Sequence, residues 1–190
     1  MEFAETLRRR RMVRRFSGDP ISADQADRIA AAALRAPTAG NAQGITVVSV
    51  TDRDTITALA EACGEHSYVE RGFHPWLSTA AQHLVICIEP DRYRDRYAAP
   101  DKDESVLDAV PWWWVDGGAA LMAALLAAVD EGLAAGFHGG HGADGARVAL
   151  GIPEDVVLLG IVAVGHPAPD RRSSSLDRPK RADSVRRERW

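Results

Sequence analysis

The chain has 190 residues, 46% of them apolar, and a formal net charge of −4. That is enough for one domain with a core of its own, and it excludes a disordered, collagen-like or cysteine-stapled chain. The charge is uneven: six arginines oppose only Glu2 and Glu5 before residue 17, eight basic residues oppose three acids after residue 170, and the body between is acidic, so the whole surface is no general polyanion binder while its ends suggest an anion site or a tail.

MEFAETLRRRR fits a short helix. On a helix Arg10, Arg11 and Arg14 stand at i, i+1 and i+4, a geometry able to clamp a phosphate; a solvated basic face or a nucleic-acid tail is the alternative. Ser22 and Gln25 form a capping box that opens a helix running to about residue 35, before Pro37. The turn-rich APTAGNAQG follows, where Gly40 permits close backbone approach and Asn41 and Gln43 offer donors and acceptors. ITVVSV, residues 45–50, is β-branched and predicts a buried strand, and residues 51–63 predict a helix ending near Gly64.

GEHSYVERGFHPWLSTA predicts irregular structure leading into a helix, and HLVICIEP a strand stopped by Pro90. DRYRDRYAAPDKDESVLDAVP predicts a charged surface excursion. Neither helical nor strand periodicity puts all three tryptophans of PWWWVDGG on one side, so at least one is expected to face a cleft, a flat aromatic surface or a subunit interface; a role shared between core and interface is the alternative. The longest helix is expected over 115–134, apolar nearly all round and therefore buried. GFHGGHG has two histidines but no further ligands at metal spacing, so no metal is expected and a glycine-rich turn offering backbone N–H groups is the better reading. A short helix closing at Gly151 and a strand ending at Gly165 complete the body, ahead of a polar carboxy-terminal arm, about 167–190.

Helices and strands mix without regular alternation, which favours an α+β sheet with helices on its faces. No GxGxxG after a strand, no Walker A loop, no nucleophile elbow and no carboxylate pair stands out, so the chemistry is assigned to a cofactor. Cys87 reads as core and no disulfide is implied. No apolar stretch follows the charged amino terminus, and the apolar run 119–129 is too short to cross a bilayer; the expectation is a cytoplasmic protein with no membrane partner.

RRRRMVRRF, APTAGNAQG, DGGAALMAALLAAVDEGLAAGFHGG, LGIPEDVVLLGIVAVGHPAP and RPKRADSVRRERW, in that order, make the chain resemble the FMN-dependent nitroreductase family over nearly its whole length. The resemblance implies one nitroreductase-like domain over 1–190, a three-layer α/β/α fold with a mainly antiparallel sheet, and an intertwined homodimer with FMN at the interface. It implies that Arg10, Arg11, Met12 and Arg14 hold the FMN phosphate and pyrimidine edge. Pro37, Thr38, Ala39, Asn41 and Gln43 would contact FMN from the other subunit. Phe137, His138, Gly139 and Gly140 would pack against the flavin, and Arg178 would reach the phosphate.

Four departures accompany the match. Met12 replaces a common hydroxyl residue, and Gly139 stands where an acidic residue sometimes does. Gly44 and Ile45 replace a proline-tryptophan pair, which is expected to widen the pocket. The family's carboxy-terminal lysine falls near Leu176, with Lys180 or Arg172 as substitutes. The implied reaction is ping-pong two-electron transfer from NAD(P)H to a small nitroaromatic, quinone or enone acceptor. Phe73, Trp113 and Trp114 are candidates for the substrate side, and no side chain is named as catalytic. Alternatives are a flavin- or deazaflavin-dependent oxidase or dehydrogenase on the same scaffold, and a cofactor-free module binding nucleic acid or a partner through its basic ends.

Overall fold

Alternation along two central strands sets the layers. In β2 (Gln82–Ile88), all of it buried, Leu84 and Ile86 point to one side and Val85 and Cys87 to the other; in β4 (Val157–Gly165) Val162 and Val164 oppose Ile161 and Ala163 in the same way. Both faces are apolar, so both must be covered. The computed structural model describes residues 1–139, 143–170, 177–179 and 184–189; its sheet has four antiparallel strands in the order β1-β2-β4-β3, with β1 at Ile45–Val50 and β3 at Ala134–His138.

One face carries α2 (Ala23–Ala33) and α7 (Trp112–Asp130), which bury Ile29, Ala33, Ala124, Leu125 and Ala128 against the sheet. The other carries α3 (Arg53–Ala62) and α8 (Ala143–Leu150), packed through Ile56, Leu59 and Ala146. This is the expected α+β sheet with helices on both sides. The capping box is present: Ser22 Oγ accepts from Gln25 N–H and Gln25 Oε1 from Ser22 N–H. Asp52 caps α3 through Thr55 N–H at 2.9 Å.

Several sequence expectations are corrected. The first helix, α1, spans Phe3–Arg9 and stops before the remaining arginines. The order after Gly64 is reversed: the helix, α4 (Glu65–Glu70), comes first and the irregular stretch to residue 81 follows. Pro90 does not merely end a strand; it starts α5 (Pro90–Tyr97), where its missing N–H and fixed φ suit a helix opening. The charged segment is mostly exposed, as expected, but it is helical and anchored: α5 buries Tyr93 completely, and a short α6 (Val106–Ala109) that follows buries Leu107.

The long helix is shifted towards the amino terminus and is not buried all round. Trp114, Val115 and Met122 lie exposed on it, 46%, 53% and 44%. Its 19 residues are long and apolar enough to cross a membrane by length and composition, unlike the shorter run considered above, yet Ala120, Ala124 and Ala128 are packed without exposure inside the fold. Of the residues expected to end that helix and form a glycine-rich turn, 134–138 instead make β3, paired along its whole length with β4; 140–142 lie outside the described residues. The arm expected over 167–190 lies largely outside the described residues; its start is tied down by Ala168 N–H donating to Arg15 O at 3.0 Å.

Candidate functional site

The arginine-rich segment leaves its helix to join the sheet. Arg10 has extended ψ (121°), Met12 forms a parallel bridge with Ala135, and Val13 N–H donates to Ala135 O at 2.9 Å. Four residues on, Phe16 bridges Pro167 and sinks into the core. The helical arrangement expected for Arg10, Arg11 and Arg14 is therefore replaced by a strand-like one, because pairing with the free edge of β3 and burial of Phe16 outweigh local helix propensity. Gly136 makes the approach possible: a Cβ there would lie 2.9 Å from Trp76 Cζ3 and nearer still to the Val13 carbonyl oxygen.

Charge divides the arginines from Arg8 to Arg14 into two sets. Arg8 and Arg9 both pair with Glu5 on α1. Arg10, Arg11 and Arg14 have no ion pair among the described residues. Arg11 and Val13 line a cleft of about 400 Å³ with Arg8, Arg9, Leu133 and Ala134. Arg14 turns elsewhere, its guanidinium 5.5 Å above the Trp76 ring, and the His138 ring lies tilted beside Trp76 with centroids 6.2 Å apart. Three cations without carboxylates along one edge of the sheet suit a phosphate and a second negative centre. Phe137 goes the opposite way, into the α7-side core, where its ring fills the space above Gly160.

Trp76 rests on a pinned backbone. Glu65, buried, accepts the N–H groups of Trp76 and Leu77, both at 2.6 Å. His83, wholly buried, donates from Nε2 to Leu77 O at 3.0 Å; a carbonyl only accepts, so Nε2 carries the proton. Burial pushes this imidazole down to about 4, against a smaller opposing effect of the bond to Leu77. Arg53 donates to the carbonyls of Ser78 and Ala80.

The second group of expected residues is the loop 37–43. It contains a 3₁₀ turn, Ala39–Asn41, and three left-handed residues, Gly40 (φ 60°), Asn41 (φ 58°) and Gln43 (φ 53°). Two non-glycine residues held there mark stored strain, which collects at functional loops. The loop is held from below. Asp116, 6% exposed, accepts from Ala39 N–H at 2.7 Å and from the Tyr93 hydroxyl at 2.8 Å. Arg96 Nε donates to Gly40 O at 2.8 Å and Thr38 Oγ1 accepts from Gln43 N–H at 3.0 Å. Burial and the Asp116 charge raise the Tyr93 pKa, so the phenol stays a donor. Pro37, Thr38, Asn41 and Gln43 line a cleft of about 370 Å³ with Leu34 and Ile45. Gly44 does not widen it: the Tyr93 ring occupies the space of the missing side chain.

The two groups lie at opposite edges of the sheet. The loop precedes β1, the arginine segment lies beyond β3, and β2 and β4 stand between; at ~4.8 Å per strand the edges are ~14 Å apart before the arginines are reached. Phe73, 61% exposed and edge-on to Tyr68, is three residues from Trp76 on the arginine side. Trp113 and Trp114 belong to the loop side, Trp113 edge-on to Tyr93 with centroids 6.0 Å apart. Gly139 and Arg178 are exposed. Gly140, Arg172, Leu176 and Lys180 lie outside the described residues. Among the described residues no group of three or more His, Cys, Asp or Glu is placed to hold a metal.

Sequence reasoning missed Glu65, Trp76, Tyr93 and Asp116. Asp116 had a signal, a lone carboxylate at the head of an apolar helix, which needs donors if it is buried. Glu65 sits in a run of polar residues and had none.

The Nitroreductase family model matches residues 7–166. The NADPH-flavin oxidoreductase of Vibrio harveyi is 32% identical over 165 residues, 86% of this chain; the match spans 65% of that relative's length. The FMN reductase [NAD(P)H] of Bacillus subtilis strain 168 is 27% identical over 95% of this chain and 72% of its own. Among solved structures, an NADPH:FMN oxidoreductase from Vibrio harveyi complexed with NAD+ superposes with a TM-score of 0.67 at 26% identity, covering 98% of this chain and 77% of that one. This chain belongs to the nitroreductase family.

Proposed function

We propose that the protein is an FMN-dependent NAD(P)H oxidoreductase that passes two electrons to a small nitroaromatic, quinone or enone acceptor. The observation that carries the reading is the row Arg10, Arg11 and Arg14, uncompensated by any carboxylate among the described residues and laid along β3. In a family whose relatives are named for flavin and NAD(P)H, such a row fits FMN, which carries one phosphate and, when reduced, a negatively charged pyrimidine edge.

FMN supplies two-electron chemistry at its N5 when bound. The residues of the chain bind and orient. Arg10 and Arg11 hold the phosphate end, with Arg178 as the candidate from the carboxy-terminal arm, and Arg14 presents positive charge to the pyrimidine edge, where it favours the reduced state. Asn41 and Gln43 offer hydrogen bonds to the ring from the clamped loop. His138 and Gly139 stand where β3 ends, on the flavin side. Phe73, Trp113 and Trp114 give flat apolar walls for donor and acceptor, which use the same cleft in turn, the ping-pong order.

The working unit is a homodimer. Loop and arginine segment sit at opposite edges of one sheet, so a site containing both needs two copies. The exposed apolar residues Phe3, Leu7, Leu34, Trp114, Val115 and Met122 offer the surface for it.

The test is the absorption spectrum of the purified protein supplied with FMN, followed anaerobically on addition of NADH and then NADPH, with the oligomeric mass measured in parallel. Flavin bands that bleach on addition and recover with a quinone are expected, in a dimer. A protein that takes up no FMN refutes the reading.

A further inference from the structure

Residues 71–81 have no helix or strand, yet Glu65, His83 and Arg53 are all committed to their backbone. What this pinned stretch delivers is the half-buried Trp76 ring, with the Arg14 guanidinium 5.5 Å over its centroid and the tilted His138 ring 6.2 Å away. Filling space against Val13 and the neighbouring core would be served by leucine. An aromatic face adds something leucine lacks, electrostatic attraction for a guanidinium. It attracts without neutralising: a carboxylate in the same place would cancel the charge of Arg14, whereas a ring fixes the guanidinium and leaves its charge available.

We propose that Trp76 is a positioning residue that acts through Arg14, holding the guanidinium over its ring so that the charge stays fixed at the pyrimidine edge of bound FMN and raises the potential of that flavin. The inference rests on the FMN reading above and deepens it. A freely rotating Arg14 divides its charge among solvent-facing rotamers; one resting on Trp76 keeps it where negative charge accumulates on reduction. Oxidised FMN carries no such charge, so its binding responds little.

The experiment compares Trp76→Leu, Trp76→Phe, Arg14→Ala and the double variant Trp76→Leu/Arg14→Ala, each loaded with FMN. Two-electron midpoint potentials are read together with the affinity for oxidised FMN and the thermal midpoint. Trp76→Leu is expected to weaken the preference for reduced over oxidised flavin about threefold, which lowers the potential by ~14 mV at 29.6 mV per tenfold change. Trp76→Phe keeps the aromatic face and the parent potential. Arg14→Ala lowers the potential by at least as much, and the double variant falls no further than Arg14→Ala alone. If Arg14→Ala lowers the potential and Trp76→Leu does not, or if the two effects add, Trp76 does not act through Arg14. If Arg14→Ala leaves the potential unchanged while FMN still binds, the assignment of Arg14 fails and this inference with it. Failure to bind FMN in the parent sinks the functional reading itself. Should Trp76→Leu not fold, Trp76→Met fills the volume without a ring and is read in the same way.

Discussion

Tyr93 occupies the volume that a side chain on residue 44 would need. A Cβ built on Gly44 would lie 2.8 Å from Tyr93 Cδ2 and closer still to Cε2, while the phenol is wholly buried. Gly44 is also fixed by its carbonyl, which accepts Glu89 N–H at 2.9 Å. The φ of Gly44 is not in the left-handed region, so space alone forbids a side chain. Gly44→Ala is expected to destabilise the protein by about 1–3 kcal/mol, the usual cost of overpacking a filled core. Urea unfolding measures it. Combining Gly44→Ala with Tyr93→Leu should cost less than the sum of the two single changes; strict additivity would show that the two residues do not compete for one space.

Asp116 carries the loop above it on two hydrogen bonds. Asp116→Ala leaves the Tyr93 hydroxyl and Ala39 N–H without an acceptor in a buried place, at about 1–3 kcal/mol for each. The strained turn through Asn41 and Gln43 then relaxes, so stability falls and bound FMN leaves faster. Asp116→Asn retains a carbonyl oxygen able to accept both bonds and should lose much less on both counts. Unfolding in urea and the rate of flavin release after rapid dilution separate the three proteins. Equal release rates in all of them would remove the loop from cofactor binding.

These relationships show what the sequence could and could not carry. The β-branched run at 45–50 and the Ser22–Gln25 capping box are local signals, and the structure matches them at those residues. Ala134–His138 is a strand with no β-branched residue in it; its conformation comes from β4 on one side and the arginine segment on the other, neither of which is near in sequence. The arginines misled for the same reason, since only a distant free edge makes them extended. In α5 the charged residues concealed Tyr93, whose burial depends on Asp116, 23 positions on. Along α7 an apolar residue facing the sheet and one left exposed look alike, so the exposed Trp114, Val115 and Met122 were not separable from core. The residues proposed for the site were named through the family resemblance, whereas their division between two edges of the sheet was a matter of strand order that no local pattern carries.

The buried imidazole of His83 gives the protein a pH dependence of calculable sign. Its folded pKa of about 4 lies below the ordinary 6.5. Between those values the unfolded chain binds a proton that the folded one refuses. Stability from this group is therefore fully present above pH 6.5 and is lost as pH falls towards 4. The loss amounts to about 3 kcal/mol, at 1.36 kcal/mol per pKa unit. His83→Gln keeps an amide donor for Leu77 O and cannot titrate. Denaturant unfolding at pH 7 and pH 4 should show the parent losing about 3 kcal/mol more than His83→Gln over that range. Parallel losses would mean that His83 is protonated in the folded state.

The arginines supply the sharpest discrimination between an FMN site and a merely basic surface. Arg8 and Arg9 already share Glu5 in exposed pairs of the kind that contribute little. Arg10 and Arg11 have no ion pair among the described residues, so their charge is available to a ligand. Arg10→Ala and Arg11→Ala, at the phosphate end, are each expected to weaken FMN binding about tenfold or more, since a hydrogen bond to a charged group contributes about 1.5–3 kcal/mol. Arg8→Ala and Arg9→Ala should leave it within about twofold. Flavin fluorescence titration at one fixed salt concentration reads all four. A general basic face would respond to loss of any of the four by a similar factor and would lose affinity steeply with added salt. A site built by the pairing of Met12 with Ala135 responds by position, and the boundary between the two behaviours should fall between Arg9 and Arg10, where the helix ends and the strand-like segment begins.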